Sequence, residues 1–242
     1  SPCHVLYATR SSLDLLAEEI DKAGIKVTPR ILVSIGEILT NGHRKHFQET
    51  FACKTLNLYG SEETGSIAWQ CPEDQHSLHI EMETVVVNLK NVEMTPNAKM
   101  GSIVVTNLEN YVMPFIRYDL GDWILMPEKD RCSCGRTLTL LGEVFGRNDD
   151  TLEFRGRKYH WNFFYNYFKD YLYVKKYKII QTKEGNIEFK ILLFDNTEEN
   201  RQRCLTDLSS AFEKHFFPLN IQFVHGFSIS PRGKFKVLEK ES

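Results

Sequence analysis

Asp122 is one of the acidic side chains that the sequence presents for chemistry. It closes the run Arg117-Tyr118-Asp119-Leu120-Gly121-Asp122, in which a turn glycine would present a carboxylate suited to accepting from two neighbouring hydroxyls, such as those of a ribose. Tyr59-Gly60-Ser61-Glu62-Glu63 places two carboxylates directly after a short apolar run, where open α/β sheets carry their ligand sites. Gly146-Arg147-Asn148-Asp149-Asp150 is a polar, turn-prone patch, and Gly233-Lys234 puts a cation near the end of the chain. A fifth group is built of soft ligands. Cys132-Ser133-Cys134, with Cys71 and either His76 or His79 about 60 residues earlier, supplies three sulfurs and an imidazole, enough for a closed tetrahedral zinc site. Each of these has a plainer reading when taken alone: loop, capped turn, solvated tail, buried thiols.

Elements must bring these residues together. Ser12 to Ile20 places apolar residues at helical spacing behind a Ser cap, with Gly24 as the stop. Ile31 to Ile35 and Thr55 to Tyr59 are strand-length runs separated by an amphipathic stretch from Arg44 to Phe51; this rhythm predicts a parallel α/β sheet. After Gly60, the β-rich segments Val85-Val86-Val87, Ile103-Val104-Val105 and Trp123-Ile124-Leu125 predict a small, largely antiparallel β subdomain. A boundary is expected near Gly146 to Asp150, dividing residues 1–147 from residues 148–242. Beyond it the pattern predicts a strand at Leu152 to Phe154 and a helix over Trp161 to Lys169. Paired strands follow at Lys178 to Gln181 and Ile187 to Phe194, then a helix over Glu198 to His215 and a strand at Ile221 to Val224. The fold class is α/β: a partial parallel sheet with helices plus a small β subdomain, followed by an α+β carboxyl-terminal domain.

At 242 residues with 42% hydrophobic and 12% aromatic content, the chain can bury real cores. Thirty Lys plus Arg against 32 Asp plus Glu leave a formal charge of −2, which argues against nucleic acid as a partner. No apolar run approaches the roughly 20 residues of a membrane span. The six unevenly spaced cysteines fit reduced thiols and a cytoplasmic setting rather than a disulfide scaffold. The aromatic cluster Trp161, Phe163, Phe164, Tyr165, Tyr167, Phe168 is read as packing. Lys175, Lys176 and Lys178 are read as a solvated strand edge, and Cys53 and Cys204 as small buried hydrophobes.

In order and separation, these motifs resemble the adenylate-forming acyl-CoA synthetase superfamily, specifically its phenylacetate–coenzyme A ligase-like and capsule-biosynthesis branch. Ser34-Ile35-Gly36-Glu37-Ile38-Leu39 is similar to the family's Gly-Glu-x-Leu segment, and Cys132-Ser133-Cys134-Gly135-Arg136-Thr137-Leu138 to a signature of that branch. The resemblance implies ATP-dependent activation of a small carboxylic acid, an aryl acid such as phenylacetate, through an acyl-adenylate, with transfer to the thiol of coenzyme A. It places Gly36 and Glu37 beside the adenine and acyl pockets, Tyr59 near the adenine with Gly60, Ser61 and Glu62 in the same loop, and Glu63 on Mg²⁺. Asp122 and Arg147 would hold the ribose. Asp149 falls at the hinge of a mobile lid, and Lys234 is the lid lysine that reaches the reacting groups. Glu62 departs from the family's usual Thr, whose hydroxyl touches the α-phosphate. The resemblance also favours zinc held by Cys71, His79, Cys132 and Cys134, in a structural role, because every ligand is then protein and no position stays open for water.

The family's Ser/Thr/Gly-rich phosphate loop belongs to a preceding stretch, and Thr40-Asn41-Gly42-His43 is too short and lacks its glycine pattern. The chain is therefore expected to be the carboxyl-terminal half of the enzyme, inactive alone. Its expected partner is the amino-terminal half or a complementary chain, and an open sheet edge would favour a homodimer. Two rivals stand beside this: a non-catalytic, zinc-stabilised binding or assembly module of the same fold, and adenylation with an acceptor other than coenzyme A.

Overall fold

The first 60 residues weave a parallel sheet. A computed structural model describes residues 3–95, 97–128, 131–147, 151–216, 218–227 and 237–241. Strand β1 (Val5–Thr9) leads into helix α1 (Arg10–Ala23), followed by β2 (Ile31–Ile35), α2 (Asn41–Phe51) and β3 (Lys54–Ser61). β1 and β3 both run parallel to β2, with Val5 opposite Ile31 and Ile31 opposite Lys54. Helix α1 buries Leu13, Ala17 and Ile20, one apolar stripe, against Leu32, Phe47 and Phe51. Its cap is Thr9, whose hydroxyl accepts from the Ser12 N–H, so the helix begins two residues before the expected Ser12 start. Gly24, in the left-handed region at φ 62°, stops it as the sequence predicts.

The β-rich region does two things instead of one. β4 (Gly65–Gln70) and β5 (Leu78–Ile80) fold back antiparallel and extend the first sheet. β6 (Val85–Thr95), β7 (Ala98–Asn107) and β8 (Tyr118–Pro127) form an antiparallel meander, then β9 (Leu140–Leu141) returns to β5 and β10 (Val144–Arg147) to β8. The two sheets have the orders β1-β2-β3-β4-β5-β9 and β10-β8-β7-β6. Ile67, Ile80, Val85, Ile103, Val105, Ile124 and Leu141 form one buried cluster from both.

By its internal contacts the chain divides into two units, residues 1–39 with 44–147 and residues 40–43 with 148–242. The second contains the hairpin β11 (Thr151–Phe154) and β12 (Arg157–His160), helix α3 (Trp161–Phe168), β13 (Val174–Gln181), β14 (Ile187–Leu193), α4 (Glu198–Phe212), β15 (Asn220–Phe223) and β16 (Leu238–Lys240). Its sheet order is β15-β14-β13-β16. Strand β14 alternates, burying Ile187, Phe189, Ile191 and Leu193, against a core of Phe164, Phe168, Phe212 and Phe216, all essentially inaccessible. The aromatic run is packing, as its helical spacing implies: Phe168 stacks on Tyr177 at 3.8 Å. Lys178 does not mark a free edge: β16 pairs with β13 from Ile179 to Gln181, and Lys178 pairs with Glu239 at 2.6 Å. All six cysteines are free thiols, with Cys204 buried and Cys53 partly so. Among the described residues no helix is long and apolar enough to cross a membrane.

Candidate active site

At the carboxyl end of β3 the backbone makes a tight hairpin into β4, and Gly60 is what lets it close. A Cβ there would lie 2.5 Å from the Gly65 carbonyl oxygen, inside any tolerable contact. The Tyr59-to-Glu63 motif is therefore the strand end and its turn, not a loop beyond the strand. In the turn the Ser61 hydroxyl accepts from the Thr64 N–H at 3.1 Å and bonds the Thr64 hydroxyl at 2.9 Å. Glu62 points into solvent, whereas Glu63 is half-buried and accepts from the Tyr118 hydroxyl at 3.2 Å. Glu62, Glu63, Thr64, Ser66, Glu81 and Asn107 line a cleft of about 500 Å³.

Tyr59 reaches across to the second sheet. Its hydroxyl donates to Asp122 Oδ2 at 2.8 Å, joining two motifs that lie 63 residues apart. Burial, reinforced by the Asp122 carboxylate, pushes the Tyr59 phenol far above the ordinary tyrosine range, so it stays a neutral donor. Asp122 stands opposite Arg147 in the β8–β10 ladder, which brings the third motif to the same place. Gly36 (φ 69°) and Glu37 leave β2 one residue past Ile35, which pairs with Leu58, so they emerge beside Tyr59. Glu37 is already engaged there. Arg10, buried at the start of α1, donates to Glu37 at 2.5 Å and to Asp14 at 2.9 Å, and the Ser11 hydroxyl also bonds Glu37.

No family model matches the chain. The phenylacetate–coenzyme A ligase of Thermus thermophilus is 34% identical over 160 residues, which cover 63% of this chain and 36% of that protein. That of Pseudomonas putida is 27% identical over 161 residues, with the same coverage of each chain. Over 63% of its length the chain is similar in sequence to phenylacetate–coenzyme A ligases. Solved structures supply the fold of the adenylate-forming acyl-CoA ligases. A 2-hydroxyisobutyryl-CoA ligase, in the postadenylation state in complex with R3-HIB-AMP, superimposes with a TM-score of 0.78 at 18% identity, over 98% of this chain and 54% of that one. An anthranilate CoA ligase, in complex with anthranoyl-AMP, gives 0.64 at 15% identity, over 95% and 48%. The chain thus spans about a third of the curated ligases it matches and about half of the solved ones.

The structure gathers Tyr59, Gly60, Ser61, Glu62, Glu63, Asp122 and the Arg147 backbone where the ends of β3 and β10 meet the first half of β8. Lys234 and Asp149 lie outside the described residues. Sequence reasoning missed Arg10, Ser11 and Tyr118 as partners of the predicted carboxylates, because nothing local announces a contact 26 to 55 residues away, and it missed Asp119 as the acceptor of Ser102 and the Gly121 N–H. Tyr118 and Asp119 were nevertheless in view, inside the Asp122 motif itself.

The soft-ligand group also assembles. Cys71 follows β4, His79 sits in the middle of β5, and Cys132 and Cys134 precede β9; their ligand atoms all lie within 4.8 Å of one another. Cys71 and Cys132 sulfurs are 3.5 Å apart, and Cys134 Sγ is 3.4 Å from His79 Nε2. Ligands of a tetrahedral zinc ion are separated by about 3.5–3.8 Å, so the donor set fits the ion. His76 is exposed and outside the group. Burial pushes the Cys71 thiol up. The Arg136 backbone N–H, followed by its guanidinium and the adjoining thiols, holds the Cys134 thiol down to about 7 against burial. Burial, then Arg136, lowers His79, keeping the imidazole neutral as a ligand must be.

Proposed function

We propose that this chain is the carboxyl-terminal part of an AMP-forming acid–thiol ligase, and that an adenosine phosphate binds where the ends of β3 and β10 meet the first half of β8. The convergence of Tyr59, Asp122 and Arg147 carries this reading. Asp122 would accept from both ribose hydroxyls, Arg147 would approach the same sugar, and Tyr59 would flank the adenine while keeping Asp122 oriented. Gly36 and Glu37 would form the adjoining wall. Glu63, turned by Tyr118, would hold Mg²⁺, which when bound neutralises charge on the phosphates. The carboxylate of an aryl acid attacks the α-phosphorus, pyrophosphate leaves, and the acyl-adenylate is then opened by the thiol of coenzyme A. In that chemistry the protein supplies positioning and cationic stabilisation; Lys234 is assigned the mobile cation and Asp149 the hinge of the lid, residues 148–242. Cys71, His79, Cys132 and Cys134 would hold a structural zinc ion that ties β4, β5 and β9 together.

The span of the relatives supports a further part of the proposal, that full activity needs sequence beyond these 242 residues. The exposed carboxylate of Glu62, where the family pattern has a hydroxyl, favours the rival of a zinc-stabilised module without catalysis. ATP–pyrophosphate exchange and AMP-dependent thermal shift decide between them. The ligase reading predicts stabilisation by AMP that Asp122→Ala abolishes, with no exchange by the chain alone. A scaffold should ignore both nucleotide and substitution, and robust exchange by the chain alone would refute incompleteness.

A further inference from the structure

Asp122 pairs with Arg147 on one side of β8 but has no partner in the ladder on the other side, against β7. Across β7 and β8, Val104 pairs with Asp119 and Ser102 with Trp123. Strand β7 therefore advances two residues while β8 advances four, and Leu120, Gly121 and Asp122 bulge out opposite Ile103. Such a bulge re-aims a side chain but leaves backbone groups of the bulged strand without ladder partners. Gly121 takes the left-handed turn it requires, at φ 76°.

Asp119 supplies a partner for one of them, the Gly121 N–H, and joins it to the neighbouring strands. Its Oδ1 accepts the Ser102 hydroxyl at 2.8 Å and the Gly121 N–H at 3.0 Å, and its Oδ2 accepts Lys90 Nζ. Lys90 and Ser102 are themselves register partners on β6 and β7, so one carboxylate ties three adjacent strands to the bulge, and Ser102 is 4% exposed. The Asp122 carboxylate itself accepts from the Tyr59 hydroxyl. Hydrogen bonds from Lys90, Ser102 and Gly121 outweigh burial and leave the Asp119 carboxyl below the ordinary range, so it is ionised at neutral pH.

We propose that Asp119 is a positioning residue for Asp122: by clamping the β8 bulge it sets the carboxylate that recognises the ribose, and selectivity for ribose hydroxyls depends on it. This rests on the nucleotide reading above and deepens it. Without Asp119 the Gly121 amide and the buried Ser102 hydroxyl lose their acceptor, and the bulge can slide toward a regular ladder that turns Asp122 away.

The test is calorimetric titration of the whole chain with AMP and with 2′,3′-dideoxy-AMP, which lacks both hydroxyls. Wild type should prefer AMP by about tenfold or more, the range of a hydrogen bond to a charged group, and Asp122→Ala should erase the preference. Asp119→Ala should bring the ratio to within about threefold of unity, since loss of geometry forfeits most of that bond. Asp119→Asn, which keeps an acceptor for Ser102 and Gly121, should restore much of it. A residue that only stabilised the sheet would weaken both nucleotides together and leave their ratio alone. A folded Asp119→Ala with the wild-type ratio overturns the proposal. If that variant does not fold, Ser102→Ala and Lys90→Met replace it: a lowered ratio supports the clamp, and an unchanged ratio in both overturns it. Wild type binding both nucleotides equally, or neither, would instead defeat the ribose reading itself, and the clamp with it.

Discussion

Tyr59 shows how one hydroxyl can matter twice, as an orienting donor and as a titrating group. Its folded phenol lies above the ordinary value because of burial and then Asp122. The stability it contributes is therefore complete below about pH 10 and is lost as pH rises beyond it, because the unfolded phenol ionises first. Tyr59→Phe should lose less stability than wild type between about pH 9 and 11, measured by urea unfolding, and should weaken AMP binding several-fold. Identical alkaline profiles would contradict the buried hydrogen bond. At this scale the sequence exposed the carboxylates and hid their partners. Asp122 was legible because a turn glycine precedes it. The donors Arg10 and Tyr118 were not, since an arginine in a helix and a tyrosine in a strand carry no mark of what they will touch.

Elements were legible where periodicity was strong. α1, β2, the β6 to β8 meander, α3, β14 and α4 all follow apolar patterns that the core then uses. Three of the missed strands, β1, β12 and β16, share a physical cause, whereas β4, β5 and β9 are mostly buried and too short or too irregular in pattern to stand out. β1 leaves Val5 and Tyr7 more than half exposed, at 55% and 56%, and β12 and β16 are short and mostly polar. Such strands are recruited by ladder hydrogen bonds rather than by burial. The hairpin of β3 and β4 depends on the bare backbone of Gly60, so Gly60→Ala should lower the melting temperature by roughly 5–10 °C and abolish stabilisation by AMP. An unchanged melt would contradict the close approach to Gly65. Cys71, His79, Cys132 and Cys134 bring β4, β5 and the segment before β9 to one proposed zinc site. Protein purified without chelator should carry one equivalent by elemental analysis, and Cys132→Ser should lose it and melt roughly 10 °C lower. Metal-free wild-type protein, or a Cys132→Ser variant of unchanged stability, would end that assignment.

On the scale of the whole molecule, the fold class was readable because helices and strands alternate early and cluster later. What stayed hidden was that the β-rich stretch serves two sheets, three of its strands enlarging the α/β sheet and four building the other. That division is what faces Tyr59 with Asp122: one comes from the first sheet, the other from the second. The space beside that pair is where the proposed nucleotide would sit. A crystal structure with AMP bound is the most direct test. The prediction is a nucleotide where the ends of β3 and β10 meet the first half of β8, its ribose hydroxyls about 2.6–3.2 Å from the Asp122 carboxylate and Arg147 beside the sugar. AMP bound elsewhere on the chain, or ordered with its ribose turned away from Asp122, would contradict it.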